Sequence, residues 1–290
     1  MNPCFQISLA CLTLAVSALA SADAAPITFN TALPVSRGEP IIRLQYVYNR
    51  ASGNDAVMTA NAAVGVLAYG ATPRLALFTI VPYTNKRLET PGGVRESSGF
   101  GDARLFARYT VLQQNAPGKT LRLAPFIGVE APTGTNRQSD VAGLLPPPLQ
   151  LGSGSWDVFG GIVATYATTR WQTDAQISYR ENTGANGFEA GNQYRADASL
   201  QYRLATPSFG NAPGYLFAVF EANAIVTEKD QITGVANANS GGSVLILAPG
   251  IQYATRRWIA ETAVQVPIAQ DVNGPLQKDV TIRAGFRVNF

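Results

Sequence analysis

The last twelve residues of the chain, Asp279 to Phe290, alternate between apolar and polar side chains. Val280, Ile282, Ala284, Phe286, Val288 and Phe290 fall on one face; Thr281, Arg283, Gly285, Arg287 and Asn289 fall between them. Successive side chains of a strand point to opposite faces, so this pattern predicts a strand with one apolar and one polar side. A soluble strand runs about 5–6 residues, whereas one tilted across a bilayer needs roughly 9–11. The terminal strand has the longer length, and it ends on an aromatic residue of its apolar face.

The same period recurs along the chain. Ile42, Leu44, Tyr46 and Tyr48 alternate with Arg43, Gln45, Val47 and Asn49, and an alanine-rich stretch, Ala56 to Tyr69, follows as a second strand. Leu75 to Tyr83 makes a third, and the polar, glycine-bearing Asn85 to Ser98 predicts a long loop. In the fourth strand Ala103, Leu105, Ala107, Tyr109 and Val111 oppose Asp102, Arg104, Phe106, Arg108 and Thr110. Asn115-Ala116-Pro117-Gly118 marks a turn. Leu121, Leu123, Pro125, Ile127 and Val129 then oppose Arg122, Ala124, Phe126, Gly128 and Glu130 in the fifth. After the longest loop, Pro132 to Gly154, come strands at Trp156–Tyr166, Trp171–Arg180 and Tyr194–Leu204. Strands near Tyr215–Ile225 and Val244–Thr255 are too apolar for their facing to be read; Trp258–Ile268 precedes the terminal strand. The pattern predicts an all-β, up-and-down antiparallel β-barrel of about twelve strands. Connections after strands three, five, seven, nine and eleven read as long, those after two, six and ten as short. Short turns on one side and long loops on the other belong to outer-membrane barrels, and closure leaves no sheet edge to satisfy.

Alternation alone has no sign: a soluble barrel turns its apolar face inward, a membrane barrel outward. Aromatic placement favours the second. Tyr109, Trp156, Tyr166, Trp171, Tyr179, Tyr194 and Tyr202 lie near strand ends on the apolar face, where amphipathic rings sit at headgroup level. The N-terminus agrees. Its apolar block, Ile7 to Ala20, is too short to span a bilayer and precedes Ala22-Asp23-Ala24, which has the small-residue form of a secretory cleavage site. The expected organisation is a signal peptide over 1–24, a periplasmic leader over 25–40 and an outer-membrane barrel over 41–290, in a Gram-negative cell.

Composition narrows the chemistry. Cys4 and Cys11 both fall in the signal, and the chain has no histidine. The mature protein therefore lacks thiol metal sites and the imidazole base of Ser-His hydrolysis, and neither a metal nor a cofactor is expected. Carboxylate pairs such as Asp174 with Asp197 or Glu130 with Asp157 are conceivable catalysts, but neutralisation by neighbouring arginines is the simpler reading, and no enzymatic activity is expected. The net charge of +3 is scattered without a basic run, so nucleic acid is not an expected partner. The polar face supplies the candidate lumen and constriction residues: Arg43, Asp102, Arg104, Arg108, Arg122, Glu130, Asp157, Asp174, Arg180, Arg195, Asp197, Arg203, Arg283 and Arg287. Such charges persist only when paired or wet. Their arginine surplus favours a small anionic or polar aromatic solute over a cation.

Val81-Pro82-Tyr83 closing the third strand, GFGDARLFARY (Gly99 to Tyr109), PFIGVEAPTGT (Pro125 to Thr135), then Trp156-Asp157 and Gly160-Gly161 follow one another in an order that resembles the MetA-pathway of phenol degradation family. The resemblance covers about Ile42 to Phe290. It implies an outer-membrane barrel transporter linked to small aromatic or hydrophobic compounds, and carries no agreed site residue. The expected partners are outer-membrane lipid, a small-molecule solute and the barrel-assembly machinery, the last engaged through the C-terminal strand and Phe290. A monomer is expected. The alternative is a self-plugged, non-conducting barrel with a structural or surface-interaction role, closed by its salt bridges and the Pro132–Gly154 loop.

Overall fold

Which face is buried fixes the class of the molecule. In the computed structural model, which describes residues 24–53, 55–209 and 212–290, the polar side of the strands is the buried one. Gln201, Glu221, Asn223 and Gln252 are completely inaccessible, while Ile127, Ile177 and Leu44 are 60–66% exposed. A soluble protein buries its apolar atoms; exposing large aliphatic side chains around a whole sheet is stable only in lipid.

Twelve antiparallel strands among the described residues carry this inside-out pattern: β1 (Pro40–Ser52), β2 (Val57–Gly70), β3 (Leu75–Thr90), β4 (Gly93–Phe100 continued by Ala103–Tyr109), β5 (Lys119–Ala131) and β6 (Asp157–Thr168). They continue with β7 (Trp171–Glu181), β8 (Gln193–Ala205), β9 (Ala212–Thr227), β10 (Gly242–Thr255), β11 (Trp258–Val272) and β12 (Thr281–Asn289). Each pairs with its sequence neighbours, and β12 returns to β1 over Ile41↔Asn289 to Tyr48↔Ile282, closing the barrel. Closure satisfies backbone groups that lipid cannot. No helix among the described residues is long and apolar enough to cross a membrane. Tight turns join β2 to β3, β6 to β7 and β10 to β11; we call that side the turn end and the opposite side the loop end.

Three sequence expectations are revised or bounded. The polar stretch Asn85–Ser98 is not a loop: β3 and β4 extend past the barrel as a hairpin paired from Tyr83↔Phe100 to Thr90↔Gly93. Its polarity reports water on both faces, and the ladder satisfies the backbone regardless. The long loop after β5 folds against the inner face of that hairpin. There Arg95 holds Asp140 at 2.8 Å, Lys86 donates to the carbonyl of Pro148 at 3.1 Å, and Ser97 donates to that of Leu149 at 2.5 Å. The leader is the larger difference. Residues 24–35 lie inside the barrel, with Ala24, Ile27, Ala32 and Val35 buried. Of the expected signal peptide, residues 1–24, all but Ala24 lie outside the described residues.

Rings gather at both ends of the lipid-facing surface. Tyr69, Tyr109, Trp171 and Tyr202 mark the turn end; Tyr83, Phe100, Trp156 and Tyr194 mark the loop end, all more than a third exposed. Tyr179 and Tyr194 meet across β7 and β8 with tilted rings, 4.9 Å between centroids. Two such belts are what a bilayer's two interfaces stabilise.

Candidate functional site: the lumen and its N-terminal loop

The N-terminal segment enters at the turn end and turns back within the lumen. Val35 packs against Ala68 and Ala76 near the first turn. Gly70 is required there: a Cβ on it would stand 2.1 Å from the Ser36 carbonyl oxygen. Further in, Ala32 N–H donates to Thr165 Oγ1 at 2.7 Å, and Arg108 donates to the carbonyls of Thr31 and Leu33. At the apex, Glu221 accepts from Ile27 N–H at 2.6 Å, Thr28 N–H at 3.0 Å and Thr28 Oγ1 at 2.5 Å. The segment then returns: Ala25 exchanges two 3.1 Å hydrogen bonds with the Gln252 side chain, and Ala24 packs with Phe217, Ala254 and Ile259 beside the last tight turn. A buried backbone without ladder partners must be satisfied by side chains, and those of the barrel wall supply the partners. Glu221→Ala is expected to release the apex, speeding hydrogen exchange at Ile27 and Thr28 while strand amides stay protected. Exchange mass spectrometry of the two regions checks this.

Beside the loop remains a cavity of about 1930 Å³, and its walls differ. One wall is apolar: Val64 and Val66 of β2, Phe78 and Ile80 of β3, Phe106, Phe126 and Phe159. Phe78 stacks on Phe106 at 4.3 Å, and Phe106 meets Phe159 at 5.9 Å. Gly128 opens the space between them, since a Cβ there would lie 2.4 Å from that of Phe106 and 2.7 Å from the Phe159 ring. Arg108 covers the Phe78 ring at 4.9 Å, a cation–π contact within a largely buried site.

Toward the loop end the same strands turn polar, joined by other parts of the wall, and the charges there are layered. Arg104 and Arg180 hold Glu130 at 2.5 and 2.7 Å, and Arg180 also reaches Asp157 at 3.1 Å. Arg195 pairs with Asp197 at 3.0 Å, and Arg43 with Glu261. In every pair the carboxylate is the more buried partner; the guanidinium faces the cavity. Of the carboxylate side chains only Glu39 and Asp102 line the cavity, beside eleven arginines and Lys119. An arginine-faced surface with its counter-charges set behind it presents positive potential to a solute. Among the described residues no cluster of His, Cys, Asp and Glu has the makings of a metal site.

The comparisons with known proteins follow this geometry. The sequence model of the family described as "Putative MetA-pathway of phenol degradation" matches residues 47–266. The chain belongs to this family. No curated protein matches it. Among solved structures it is similar to the COG4313 outer membrane channel from Pseudomonas putida F1, at 18% identity and TM-score 0.67, over 92% of this chain and all of that one. It is also similar to the β domain of the Bordetella autotransporter BrkA (13% identity, TM-score 0.49, 88% of this chain and all of that one) and to the NanC porin (12% identity, TM-score 0.45, 85% and all). At 18% identity the first likeness shows a shared outer-membrane-type barrel fold.

In this member of the phenol-degradation family, the candidate residues read from the alternation separate into groups with different jobs. Arg43, Arg104, Glu130, Asp157, Arg180, Arg195 and Asp197 form the ion-pair wall. Arg283 donates to Gln265 at 2.6 Å and Gln45 at 3.1 Å. Arg108 holds the N-terminal loop. Asp174, proposed above as an arginine-neutralised carboxylate, instead accepts from Thr165 and from Gln172 at 2.8 Å. Asp102 binds the root of the long loop through Gly134 N–H at 2.8 Å and Ser153 N–H at 2.6 Å. Arg122, Arg203 and Arg287 line the turn end of the cavity. Phe290, on β12's exit, is 63% exposed. Sequence reasoning missed Glu221 and Gln252, because β9 and β10 are apolar enough to hide their register, and it missed Glu261 of β11; a loop threading the lumen leaves no periodic signal that would point to them.

Proposed function

We propose that the chain is an outer-membrane channel for small molecules with an aromatic or apolar body. The observation that carries this reading is the cavity beside the loop, lined by both a phenylalanine surface and a set of arginines. Such a lumen accommodates both an apolar body and a polar or anionic group, a combination that neither a packed eight-stranded core nor a wide porin offers. The protein acts without enzymatic chemistry or cofactor, as a monomer in outer-membrane lipid, inserted by the barrel-assembly machinery through the strand ending at Phe290. Short turns face the periplasm by the usual rule for these barrels.

The test is single-channel recording of the refolded protein in a planar bilayer, with and without small aromatic acids. Steady conductance reduced by an aromatic acid is the expected result. A silent, correctly folded barrel favours the self-plugged reading, which one observation supports: residues 24–35 already occupy part of the lumen.

A further inference from the structure

The arginines of the cavity are not equivalent. Arg43, Arg104, Arg180 and Arg195 each have a carboxylate partner, Arg43 doing so at the height of Arg287 near the turn end. Further cations gather at that end. Lys119, Arg122, Arg203, Arg256, Arg257 and Arg287 converge on the same cavity from β5, β8, the β10–β11 turn and β12. Among the described residues Glu39 is the carboxylate side chain lining the cavity at this end, and Glu261 stands behind Arg43, which opposes Arg287 across the β1–β12 ladder. Among the described residues Arg203, Arg256 and Arg257 make no ion pair; Arg203 lies over the Tyr215 ring at 4.9 Å instead. Tyr215 in turn meets Phe217 at 6.3 Å, edge to face.

We propose that this turn-end mouth is a binding vestibule for organic monocarboxylates with an apolar body. The carboxylate is held by Arg203, Arg256 and Arg257, and the body lies on the aromatic surface begun by Tyr215. The inference rests on the channel reading for its traffic, but the vestibule is a binding site whether or not current flows. Three physical reasons select this class. Three guanidinium groups without an ion-pair partner among the described residues, Arg203, Arg256 and Arg257, are stabilised by an arriving anion. Guanidinium groups bind carboxylates through paired N–H donors, which a single ammonium cannot do. Aromatic surface beside the cations rewards an apolar body that chloride or phosphate lacks. A second carboxylate would instead have to meet the apolar wall, at a desolvation cost.

The position also makes the mouth directional. A cationic collar at one end of a narrow lumen raises the local anion concentration by about tenfold or more at low salt, and the effect falls as ionic strength rises. Solutes reaching the turn end are drawn past the N-terminal loop into the collar, whose hold on them must be loose enough for release.

The experiment uses the full-length mature protein, refolded, and three probes of nearly equal size: benzoate, benzyl alcohol and benzylammonium. Calorimetry of the protein in detergent is expected to show benzoate binding that weakens with salt, with benzyl alcohol weaker by about tenfold or more and benzylammonium excluded. The variant R203Q/R256Q/R257Q is expected to lose most of the benzoate affinity while keeping the folded barrel's heat-dependent gel shift. Should the triple variant fail to fold, R257Q alone, on an exposed turn, carries the comparison. Equal binding of benzoate and benzyl alcohol by the native protein overturns the proposal, as does a folded variant that binds benzoate unchanged. Binding by a barrel that passes no current leaves the vestibule standing and removes the channel reading; a conducting barrel that does not bind benzoate does the reverse.

Discussion

Deleting residues 26–35 is expected to raise the single-channel conductance several-fold. The deletion joins Ala25 to Ser36, both near the turn end, so the barrel strands and their ladders remain intact. What it removes is a chain segment pinned at three places in the lumen: to Arg108, to Thr165 and to Glu221. Each contact satisfies a buried backbone group, and bonds to charged side chains are worth about 1.5–3 kcal/mol each. The loop is therefore held, not merely lodged, and in the native protein the open path is the space beside it. With the loop gone, Arg108 and Glu221 are hydrated in place, and the lumen gains its full section. Bilayer recordings of native and deleted protein at the same salt check this. An unchanged conductance would mean that permeating ions never pass the loop's level.

The second large effect is expected at Arg180. Its guanidinium bridges Glu130 and Asp157, carboxylates that are almost wholly covered. Arg180→Ala leaves Asp157 with only neutral donors, Ser155 Oγ at 3.1 Å and Thr183 N–H at 2.9 Å. Breaking one partner out of a buried pair typically costs about 3–5 kcal/mol, at the lower end here because water reaches the lumen. The urea midpoint of the refolded barrel should fall accordingly. Arg180→Lys should recover part of the loss, since an ammonium lacks the planar fork that spans two acids. Adding Asp157→Asn to Arg180→Ala should recover more, because it removes the stranded charge. A midpoint unmoved by Arg180→Ala would show that water screens these acids as well as the arginine does.

The strand count, the closure and the lumen-facing set were legible because period-two alternation fixes which side chains share a face. Arg104 and Glu130 sit on opposing strands in register, so an acid–base ladder follows from the pattern once neighbours are known. The β3–β4 hairpin was misread for an equally physical reason. Outside the bilayer neither face needs apolar side chains, and a polar ladder such as Lys86 opposite Ser97 looks like a loop. Asp174 was misassigned because hydroxyl and amide donors satisfy a buried carboxylate as well as an arginine does, and residue type alone does not say which donor is nearest.

By itself, the sequence determined the strands, their amphipathic alternation and the family pattern, because these are local and repeat along the chain. Alternation is symmetric under turning the sheet inside out, so the lipid face was read from the aromatic residues near strand ends, and burial in the folded barrel agrees; the lumen's contents were decided by the tertiary structure. It alone set the course of residues 24–35 through the lumen, whose partners stand as far as 227 positions away in the chain. It also separated the arginines backed by carboxylates from Arg203, Arg256 and Arg257. That distinction depends on which side chains the closed barrel brings to one height, a property no single strand contains.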